Sequence, residues 1–497
     1  MGLYALGIDC GNTAVKAALF EANGREIAAV ANNYPTHTPS PDRTEADLEE
    51  CWQLCIDAIR RVITETGVDP SQIVALGCSG HGNGLYLLDS EREPLLAIKS
   101  LDNRAEDEVT QLQASPYYPV LAAKNRQGVW SSQTAVLLRW LKKHKPETYQ
   151  NIGQVLFCKD YLNFRLTGEC ATEWGDLSAS GLFDFETDSI SDQLLAAYDI
   201  EDITTKLPPV YNSEHIVGGV TSQAAQQTGL AEGTVVIAGM FDVVACAYGS
   251  DAHHIGDTSV VAGTWNINQI VTDSLPDTQV FMACKIGDER YLAIESSTCS
   301  ASNLQWLVER FFAQKSEQAA LAGESIFARF NHQLANLELS QGLPLFMPYL
   351  YGTTDKQPPA ANLLGLKGWH HDVDIVYAFY EGIVFAHLEH ITRLRQAGYR
   401  VDSIAISGGA SRSDYWCQLF ADILNVEIAA SHSDEVGARG VAMLALSSVS
   451  GSDHRQQQVA ETVNERRFKP QPKRLRFFAQ RYQKYTELRE VLAKFNG

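Results

Sequence analysis

The chain lacks several features that mark common classes of protein. Among its 497 residues, 60 Asp and Glu outnumber 40 Lys and Arg, and the formal net charge at pH 7 is −20. Such an acidic surface repels a phosphate backbone, so nucleic-acid binding is not expected. The ten cysteines form no C-x-x-C pair, and no apolar stretch is long enough to span a bilayer. We therefore expect reduced thiols, a cytoplasmic location and no membrane partner.

Two familiar nucleotide-binding signatures are also absent. The sequence contains no Gly-Lys dipeptide, which excludes a Walker A loop, and it contains no G-x-G-x-x-G. No basic stretch precedes the first carboxylate, Asp9, so we expect no secretory signal. Any anionic ligand must therefore be held by backbone N–H groups, a metal ion or a few placed cations.

The rest of the composition is typical of a globular protein. Hydrophobic residues make up 45% of the chain, which is enough for sizeable cores, and the length predicts two large domains. The N-terminal region has a β-β-β-α-β pattern, with strands at 3–8, 14–20 and 25–30, a helix from Leu48 and a strand at 73–78. This order favours a mixed sheet with helices packed on it. Thr44 followed by Asp47 predicts a capping box for the helix.

A second region begins near residue 245. Predicted strands at 258–261 and 267–271 flank Gly263-Thr264, much as the first two strands flank Gly11 to Thr13. The two turns suggest related domains, although the similarity is short.

The first candidate site is Asp9-x-Gly11-x-Thr13-x-x-Lys16 in a strand–turn–strand. Gly11 lets the backbone approach a ligand, Thr13 offers a hydroxyl, Asp9 can hold a metal ion or its waters, and Lys16 adds a cation. Together they suit a metal-bound polyphosphate. An ordinary Asp-Gly hairpin turn would have the same sequence.

The second candidate is Asp242, which ends the apolar run that precedes it. A carboxylate in apolar surroundings can have a raised pKa and act as a general base. It could equally be the N-cap of the next helix.

Two glycine-containing turns complete the candidates. Gly263-Thr264 is a potential phosphate turn, and Gly408-Gly409-Ala410 lies between a predicted strand and a helix that begins near Ser413. Paired glycines let a flat ring or a phosphate lie against the backbone, and they also suit a tight β–α connection.

In combination these motifs resemble the FGGY carbohydrate kinases, of the actin and sugar-kinase ATPase superfamily. The resemblance runs over nearly the whole chain. It rests on six segments in the family's order: Gly7–Thr13, Ala97–Ala105 with Asp102-x-Arg104, Lys159–Leu162 with Leu166-Thr167-Gly168, Gly239–Asp242, Gly263-Thr264, and Gly408-Gly409 with Ser413.

The resemblance implies an α/β fold of two ribonuclease-H-like domains, each with a mixed five-stranded sheet and helices, at residues 1–245 and 246–497 and separated by a cleft. It implies ATP, Mg²⁺ and a small sugar or polyol. Asp242 would be the general base and Asp9 would help to place Mg²⁺. Nucleotide contacts would come from Gly11, Asn12, Thr13, Lys16, Gly263, Thr264, Gly408, Gly409, Ala410 and Ser413.

The substrate turn, Ser79–Gly84, departs from two branches of the family. Glycerol kinases carry Arg-Glu at the positions of Gly82-Asn83, and D-xylulose kinases carry Met-His. The combination with Ser100 and Trp265 is most similar to that of bacterial L-xylulose kinases, so the expected substrate is L-xylulose or a related ketose. Expected sugar contacts are His81, Gly82, Asn83, Asp102 and Asp242.

Two alternatives stay open at this point. Erythritol kinases share the Gly-x-Gly-Leu element, so a polyol kinase of the erythritol or glycerol type is one of them. The other is a non-catalytic sugar-binding regulator on the same fold. The resemblance also leaves a homodimer open.

Overall fold

The computed structural model describes residues 3–275, 280–353, 360–430, 433, 435–450 and 466–495. These residues form two compact units. Within the described ranges, the first unit takes residues up to 251, the stretch 272–293 and the residues from 435 to 450. The second unit takes the remainder. The sequence suggested one division at residue 245, whereas the first unit here also recruits a segment from late in the chain.

Short strands and helices alternate over the first 251 residues. In chain order they are β1 (Tyr4–Cys10), β2 (Ala14–Glu21), β3 (Glu26–Asn33), β4 (Glu45–Ala46), α1 (Leu48–Thr66), β5 (Ile73–Gly80), β6 (Leu85–Asp89), β7 (Pro94–Ile98), α2 (Glu106–Gln113), α3 (Tyr118–Asn125), α4 (Thr134–His144), α5 (Pro146–Gln150), β8 (Ile152–Leu156), α6 (Cys158–Thr167), β9 (Thr172–Glu173), α7 (Trp174–Ala179), β10 (Phe183–Asp184), β11 (Ser189–Ile190), α8 (Asp192–Tyr198), β12 (Val210–Tyr211), β13 (Ile216–Gly219), α9 (Ser222–Thr228), β14 (Val235–Ile237), β15 (Met240–Phe241) and α10 (Asp242–Gly249).

Longer helices are more frequent in the rest of the chain. The elements are β16 (Thr258–Ala262), β17 (Asn266–Thr272), β18 (Met282–Lys285), β19 (Tyr291–Ser297), α11 (Ala301–Phe311), α12 (Ala313–Leu321), α13 (Ile326–Ala335), β20 (Leu345–Met347), β21 (Asn362–Leu364), α14 (Asp372–Gln396), β22 (Ser403–Ser407), α15 (Asp414–Leu424), β23 (Glu427–Ala430), α16 (Val436–Ser450), β24 (Arg466–Phe468) and α17 (Pro472–Phe495).

Among the described residues, the main sheet of the first unit has seven strands, two more than the five expected. Their order is β13-β14-β5-β1-β2-β3, and β15 also pairs with β5. β1 runs antiparallel to β2 and parallel to β5, so the sheet is mixed, as expected. A separate four-stranded sheet, β4-β7-β6-β8, packs its own apolar core with α4.

Alternation along β1 decides which side of the sheet carries the candidate site. Leu6 and Ile8 point into a large core shared with α1, whereas Ala5 packs with Ala438 of α16 on the other face. Period-two alternation places Asp9 on the same face as Ala5. α16 approaches this face very closely, because a Cβ added to Gly7 would lie 1.9 Å from the Ala438 carbonyl oxygen. Larger residues at position 7 would push the helix away.

The predicted first helix is confirmed, and its cap needs a correction. α1 begins at Leu48, and the helix buries the expected apolar stripe. Its N-cap is Asp47, whose carboxylate accepts the Glu50 N–H at 2.9 Å. Thr44 is not the cap, because its hydroxyl accepts no helix N–H, and its backbone N–H donates to the Asp102 carboxylate instead.

The second unit contains five neighbouring strands of one sheet, in the order β17-β16-β22-β23-β24. β16 runs antiparallel to β17 and parallel to β22, and β22 runs parallel to β23. The strands β2-β1-β5-β14 of the first unit have the same order and directions. This shared arrangement is what a duplicated domain predicts. No helix within the described ranges has the length and apolar character to cross a bilayer.

Candidate active site

The first glycine turn joins β1 to β2. The strands pair Asp9 with Lys16, and the turn closes through a hydrogen bond from Gly11 N to Ala14 O of 3.0 Å. The Thr13 side chain is exposed at the tip. An anionic ligand could therefore reach the backbone N–H groups and the hydroxyl of this turn.

A buried lysine that the sequence did not single out anchors the same turn. Lys99 is fully buried, and its Nζ donates to the Asn12 carbonyl at 2.8 Å and to the Pro35 carbonyl at 2.9 Å. Its ammonium lies 3.6 Å from the centre of the Tyr34 ring. Burial lowers the pKa of Lys99. The Asn12 amide is in turn bonded to Ser100 Oγ at 2.9 Å, so the expected ATP contact Asn12 is held by the 99–100 segment.

Asp9 lies at the end of β1 with its carboxylate only partly covered. Ser79 Oγ donates to Asp9 Oδ1 at 2.6 Å. The start of α16 comes close, since a Cβ on Gly437 would lie 3.3 Å from Asp9 Oδ2. No group of three or more His, Cys, Asp or Glu side chains suited to a metal ion occurs in the part of the chain that the structure describes. A single carboxylate fits Mg²⁺, which keeps its waters and shares its remaining positions with phosphates.

Lys16 was expected to be a free cation for phosphate, but the structure pairs it with a carboxylate. Its Nζ forms an ion pair with Glu435 Oε2 at 2.8 Å, in a partly covered setting. Burial alone would lower the pKa of Lys16, but the bond to Glu435 raises it overall. Its charge is therefore already partly neutralised within the unit. Glu435 is more than 400 positions away, and nothing in its local sequence marks it as a partner.

The substrate turn between β5 and β6 is tightly folded. Asn83 has a φ of 59° and Gly84 a φ of 72°, in the left-handed region. A Cβ on Gly82 would lie 2.4 Å from the Phe241 ring, and a Cβ on Gly84 would lie 2.3 Å from the Ile98 carbonyl. Small residues at 82 and 84 therefore let Asn83 turn between Phe241 and β7.

His81 and Asn83 are both buried, and both already have partners. His81 Nε2 lies 3.0 Å from the Tyr86 hydroxyl, and burial lowers the pKa of His81 to about 3. The ring is therefore neutral at physiological pH, with Nδ1 lacking a hydrogen-bond partner. Asn83 Oδ1 accepts from Thr134 N at 3.3 Å.

Asp102 is more engaged than a direct sugar contact would require. Its carboxylate accepts from Thr44 N at 2.7 Å and from the backbone N, Nε and Nη2 of Arg104 at 3.0, 2.8 and 2.9 Å. These four donors use the lone pairs of both oxygens, and the side chain is fully buried. A sugar hydroxyl would have to displace one of them. The structure gives Asp102 the geometry of a support for its segment.

Asp242 follows β15 and is the first residue of α10. The N-cap position is held by Phe241, so Asp242 is not the N-cap that the sequence left open. The residue is partly exposed, but its carboxyl group lies among packed protein atoms. Burial and the nearby charge of Asp9 raise the pKa of Asp242 to about 8. A carboxylate with such a pKa is well matched to accept a proton near neutral pH.

The second unit presents its glycine turns mainly through the backbone. The Gly263 carbonyl accepts from Ala301 N at 2.9 Å and the Thr264 carbonyl from Ser302 Oγ at 3.1 Å, which fixes the turn to the start of α11. The Thr264 side chain is exposed. Gly408 has a φ of 82°, and a Cβ there would lie 2.8 Å from the carbonyl of Ala262. The strand–turn segments at 262–263 and 408 are therefore in direct contact.

The remaining expected nucleotide residues differ in accessibility. Gly409 is exposed, whereas Ala410 is fully buried. Ser413 is the N-cap of α15: its hydroxyl accepts from Trp416 N at 3.1 Å and donates to Asn331 Oδ1 at 2.8 Å. Of these three, Gly409 offers the most open surface to a ligand.

Comparisons with known proteins agree for both halves of the chain. The model of the N-terminal domain of the FGGY family of carbohydrate kinases matches residues 4–249, and the model of the C-terminal domain matches residues 258–449. A probable L-xylulose kinase from Pasteurella multocida (strain Pm70) is 33% identical over 493 residues, covering 98% of this chain and 99% of that protein. The L-xylulose/3-keto-L-gulonate kinase of Escherichia coli (strain K12) is 34% identical over 449 residues, covering 90% of this chain and 88% of that protein.

Solved structures give the same fold. A ligand-bound xylulose kinase from Lactobacillus acidophilus has a TM-score of 0.88 at 21% identity, with 99% of each chain covered. A xylulose kinase from Rhodospirillum rubrum has a TM-score of 0.86 at 22% identity, again with 99% of each chain covered. At these identities the structures show the shared fold alone.

Proposed function

The chain belongs to the FGGY family of carbohydrate kinases, and from that premise we propose that it transfers the γ-phosphoryl group of ATP to L-xylulose or a closely related ketose. FGGY kinases use ATP as the phosphate donor, and the chain is a carbohydrate kinase. The identity of the sugar is the proposal. It is supported by the names of two relatives at 33% and 34% identity, both of which include L-xylulose.

The observation that carries the mechanism is the placement of Asp242 in the first unit. We propose that its carboxylate removes the proton from a sugar hydroxyl as that oxygen attacks the γ-phosphorus and ADP leaves. Dense packing and the charge of Asp9 make Asp242 more basic than an ordinary carboxylate. Proton removal is needed because a neutral hydroxyl is a weak nucleophile.

The glycine turns are proposed to hold the nucleotide. Gly11, Asn12 and Thr13 in the first unit, and Gly263 and Thr264 in the second, would bind phosphate oxygens through N–H and hydroxyl groups. Gly408 and Gly409 would face the adenosine, with Ala410 and Ser413 supporting them from behind. Asp9 would hold Mg²⁺, which when bound neutralises charge on the phosphates. Phosphoryl transfer depends mainly on such positioning and charge stabilisation.

Sugar choice is proposed to depend on the turn at residues 79–84. Gly82 has no side chain to fill the space beside the Phe241 ring, and a larger residue would collide with that ring. His81 Nδ1 is the polar atom at this turn that lacks a partner. That atom is buried, so a ketose would bond to it only if the turn moved, whereas Asn83 and Asp242 would bind neighbouring hydroxyls.

The test is an ADP-release assay with MgATP across L-xylulose, D-xylulose, L-ribulose, 3-keto-L-gulonate, erythritol and glycerol. We expect turnover to be strongest with L-xylulose or 3-keto-L-gulonate and to fall steeply in Asp242→Asn. Asp107→Asn, a solvent-exposed carboxylate of the same unit, is the matched control and should behave as wild type. A preference for erythritol or glycerol would overturn the ketose assignment while leaving the kinase intact.

A further inference from the structure

A buried group of charges lies behind the segment that carries Asp242. Lys159 at the start of α6 faces Asp160, Glu173 and Asp176, and all four residues are almost completely buried. Lys159 Nζ lies 2.5 Å from Asp160 Oδ1, 2.9 Å from Asp176 Oδ2 and 3.8 Å from Glu173 Oε1. We refer to these four residues as the Lys159 cluster.

Such a cluster is not an obvious way to stabilise a fold. One ammonium group faces three carboxyl groups, and burial raises the pKa of each of these acids. Burial disfavours the ammonium, but the three acids outweigh it and raise the pKa of Lys159. Replacing buried ion pairs by well-packed apolar residues is often neutral or stabilising. The cluster therefore suggests a task beyond stability.

Glu173 connects the cluster to Asp242. Its Oε1 accepts the backbone N–H of Phe241, the residue before Asp242, at 3.2 Å. The same carboxylate caps α7 through Gly175 N at 2.5 Å and Asp176 N at 2.8 Å. Because both oxygens are fixed by several donors, Glu173 is a rigid acceptor for Phe241.

Further hydrogen bonds hold the strand that leads into this segment. Asn163 Nδ2 donates to the Ala238 carbonyl at 2.9 Å, and Gly239 N donates to the Ser213 carbonyl at 3.1 Å. Ser213 Oγ also donates to Glu173 Oε2 at 3.3 Å. Glu173 therefore bonds to Phe241 directly and, through Ser213, to the backbone at Gly239.

We infer that Glu173, held by the N–H groups of Gly175 and Asp176, is a positioning residue that sets the direction of the Asp242 carboxylate through the Phe241 N–H. The inference rests on the proposed role of Asp242 as the base. Misplacing a reacting group by 1 Å can cost on the order of 100-fold in rate. The hydrogen bond depends on the length of the side chain, because the Glu173 carboxylate must reach Phe241 N and cap α7 at the same time.

Three substitutions separate length from charge. Glu173→Gln keeps the length and one acceptor oxygen, enough for Phe241 N and Asp176 N, but turns an NH₂ group toward Gly175 N. Glu173→Asp keeps the charge but shortens the side chain, and Glu173→Ala removes both. We expect kcat to fall least for Gln, about 10-fold for Asp and about 100-fold for Ala, with the KM for ATP within about threefold of wild type. A kcat for Glu173→Ala within about threefold of wild type would overturn the inference.

The matched control is Glu381→Gln in the second unit, which also breaks a buried ion pair, with Arg481 at 2.5 Å. This control should lose stability without changing kcat per folded molecule. If Glu173→Ala lowered kcat only in proportion to its folded fraction, the inference would fail.

Hydrogen exchange gives a second measurement that does not require enzyme turnover. It can be made on variants that fold poorly, and it tests this inference separately from the proposed function. Hydrogen exchange of the peptide spanning 238–243 should be faster in Glu173→Asp than in Glu173→Gln. Unchanged exchange in Glu173→Asp would contradict the positioning role. Near-normal turnover of Asp242→Asn would instead contradict the proposed base, whatever the Glu173 variants show.

Discussion

The two glycine turns stand at equivalent places in the two units but carry different chemistry. Each lies between antiparallel strands, the first of which runs parallel to a third strand. In the first unit the strand before the turn brings Asp9, which is bonded to Ser79, to the face beside α16. In the second unit the corresponding strand ends in Val261 and Ala262, which carry no charge.

From this difference we infer separate tasks for the two units. Near its turn the first unit has two acids, Asp9 and Asp242, and the buried Lys99. The second unit relies on backbone contacts, with Gly408 packed against Ala262. We therefore expect substitutions in the first unit to change the chemical step and substitutions in the second to change nucleotide binding.

The largest expected effect comes from Asp242→Asn. Removing a general base costs about 10²–10⁴-fold in rate, so kcat should fall within that range while nucleotide affinity stays nearly unchanged. Single-turnover phosphoryl transfer and an ATP-binding titration would measure the two quantities. A decrease in kcat of less than about 10-fold is too small for the loss of a general base. It would contradict the assignment of the chemical step to the first unit.

A smaller effect is expected from Gly408→Ala in the second unit. The new Cβ would collide with the Ala262 carbonyl, and the φ of 82° is unfavourable for alanine. We expect the unit to lose about 1–3 kcal/mol of stability and the KM for ATP to rise, with the KM for the sugar unchanged. Gly368→Ala is the control, since a Cβ there has no neighbour within 4 Å. A rise in the sugar KM alone would contradict the division of tasks.

The pH dependence of the first unit's chemistry is the third comparison. Asp242 must be ionised to accept a proton, and its pKa is raised to about 8. The kcat/KM for the sugar should therefore increase with pH up to about 8 and then level off. If kcat/KM instead decreased only below about pH 4, the ordinary pKa of aspartate, the carboxyl would not be desolvated.

The smallest effect is on stability. A carboxyl whose pKa is raised by folding favours the folded state while it is protonated and disfavours it once ionised. The cost of Asp242 should thus grow from about pH 4 to about pH 8 and stay constant above. Asp242→Asn should therefore stabilise the protein at pH 8 and have almost no effect at pH 4. Thermal unfolding at both pH values would test this.

Much of the fold and part of the site could be predicted from local sequence. The helix from Leu48 and the turns at Gly11 and Gly263 follow from apolar spacing and turn residues. Asp9 and Asp242 stay predictions, drawn from their neighbours in sequence. Sequence spacing could not show that Glu435 pairs with Lys16, because the two are brought together only by α16.

Other site features were hidden for a different reason. Asp102 looked available for a sugar contact, yet its lone pairs are filled by Arg104 and Thr44. Lys99 and Glu173 gave no signal as supports, since a buried charged residue looks like a surface residue until its partners are known. Whether a side chain already has all its hydrogen bonds depends on residues that only folding brings near, so the local sequence does not show it.

The late position of α16 in the chain has a consequence for biosynthesis. The helix covers β1 and β5 through the close contacts at Gly7 and Gly77. Those strands leave the ribosome early, whereas residues 436–450 follow only after the β16–β23 strands of the second unit. The first unit must therefore wait, with one face of its sheet uncovered, while most of the second is synthesised. A nascent chain released before residue 435 would lack both the partner of Lys16 and the cover of that face, and we expect it to depend on chaperones.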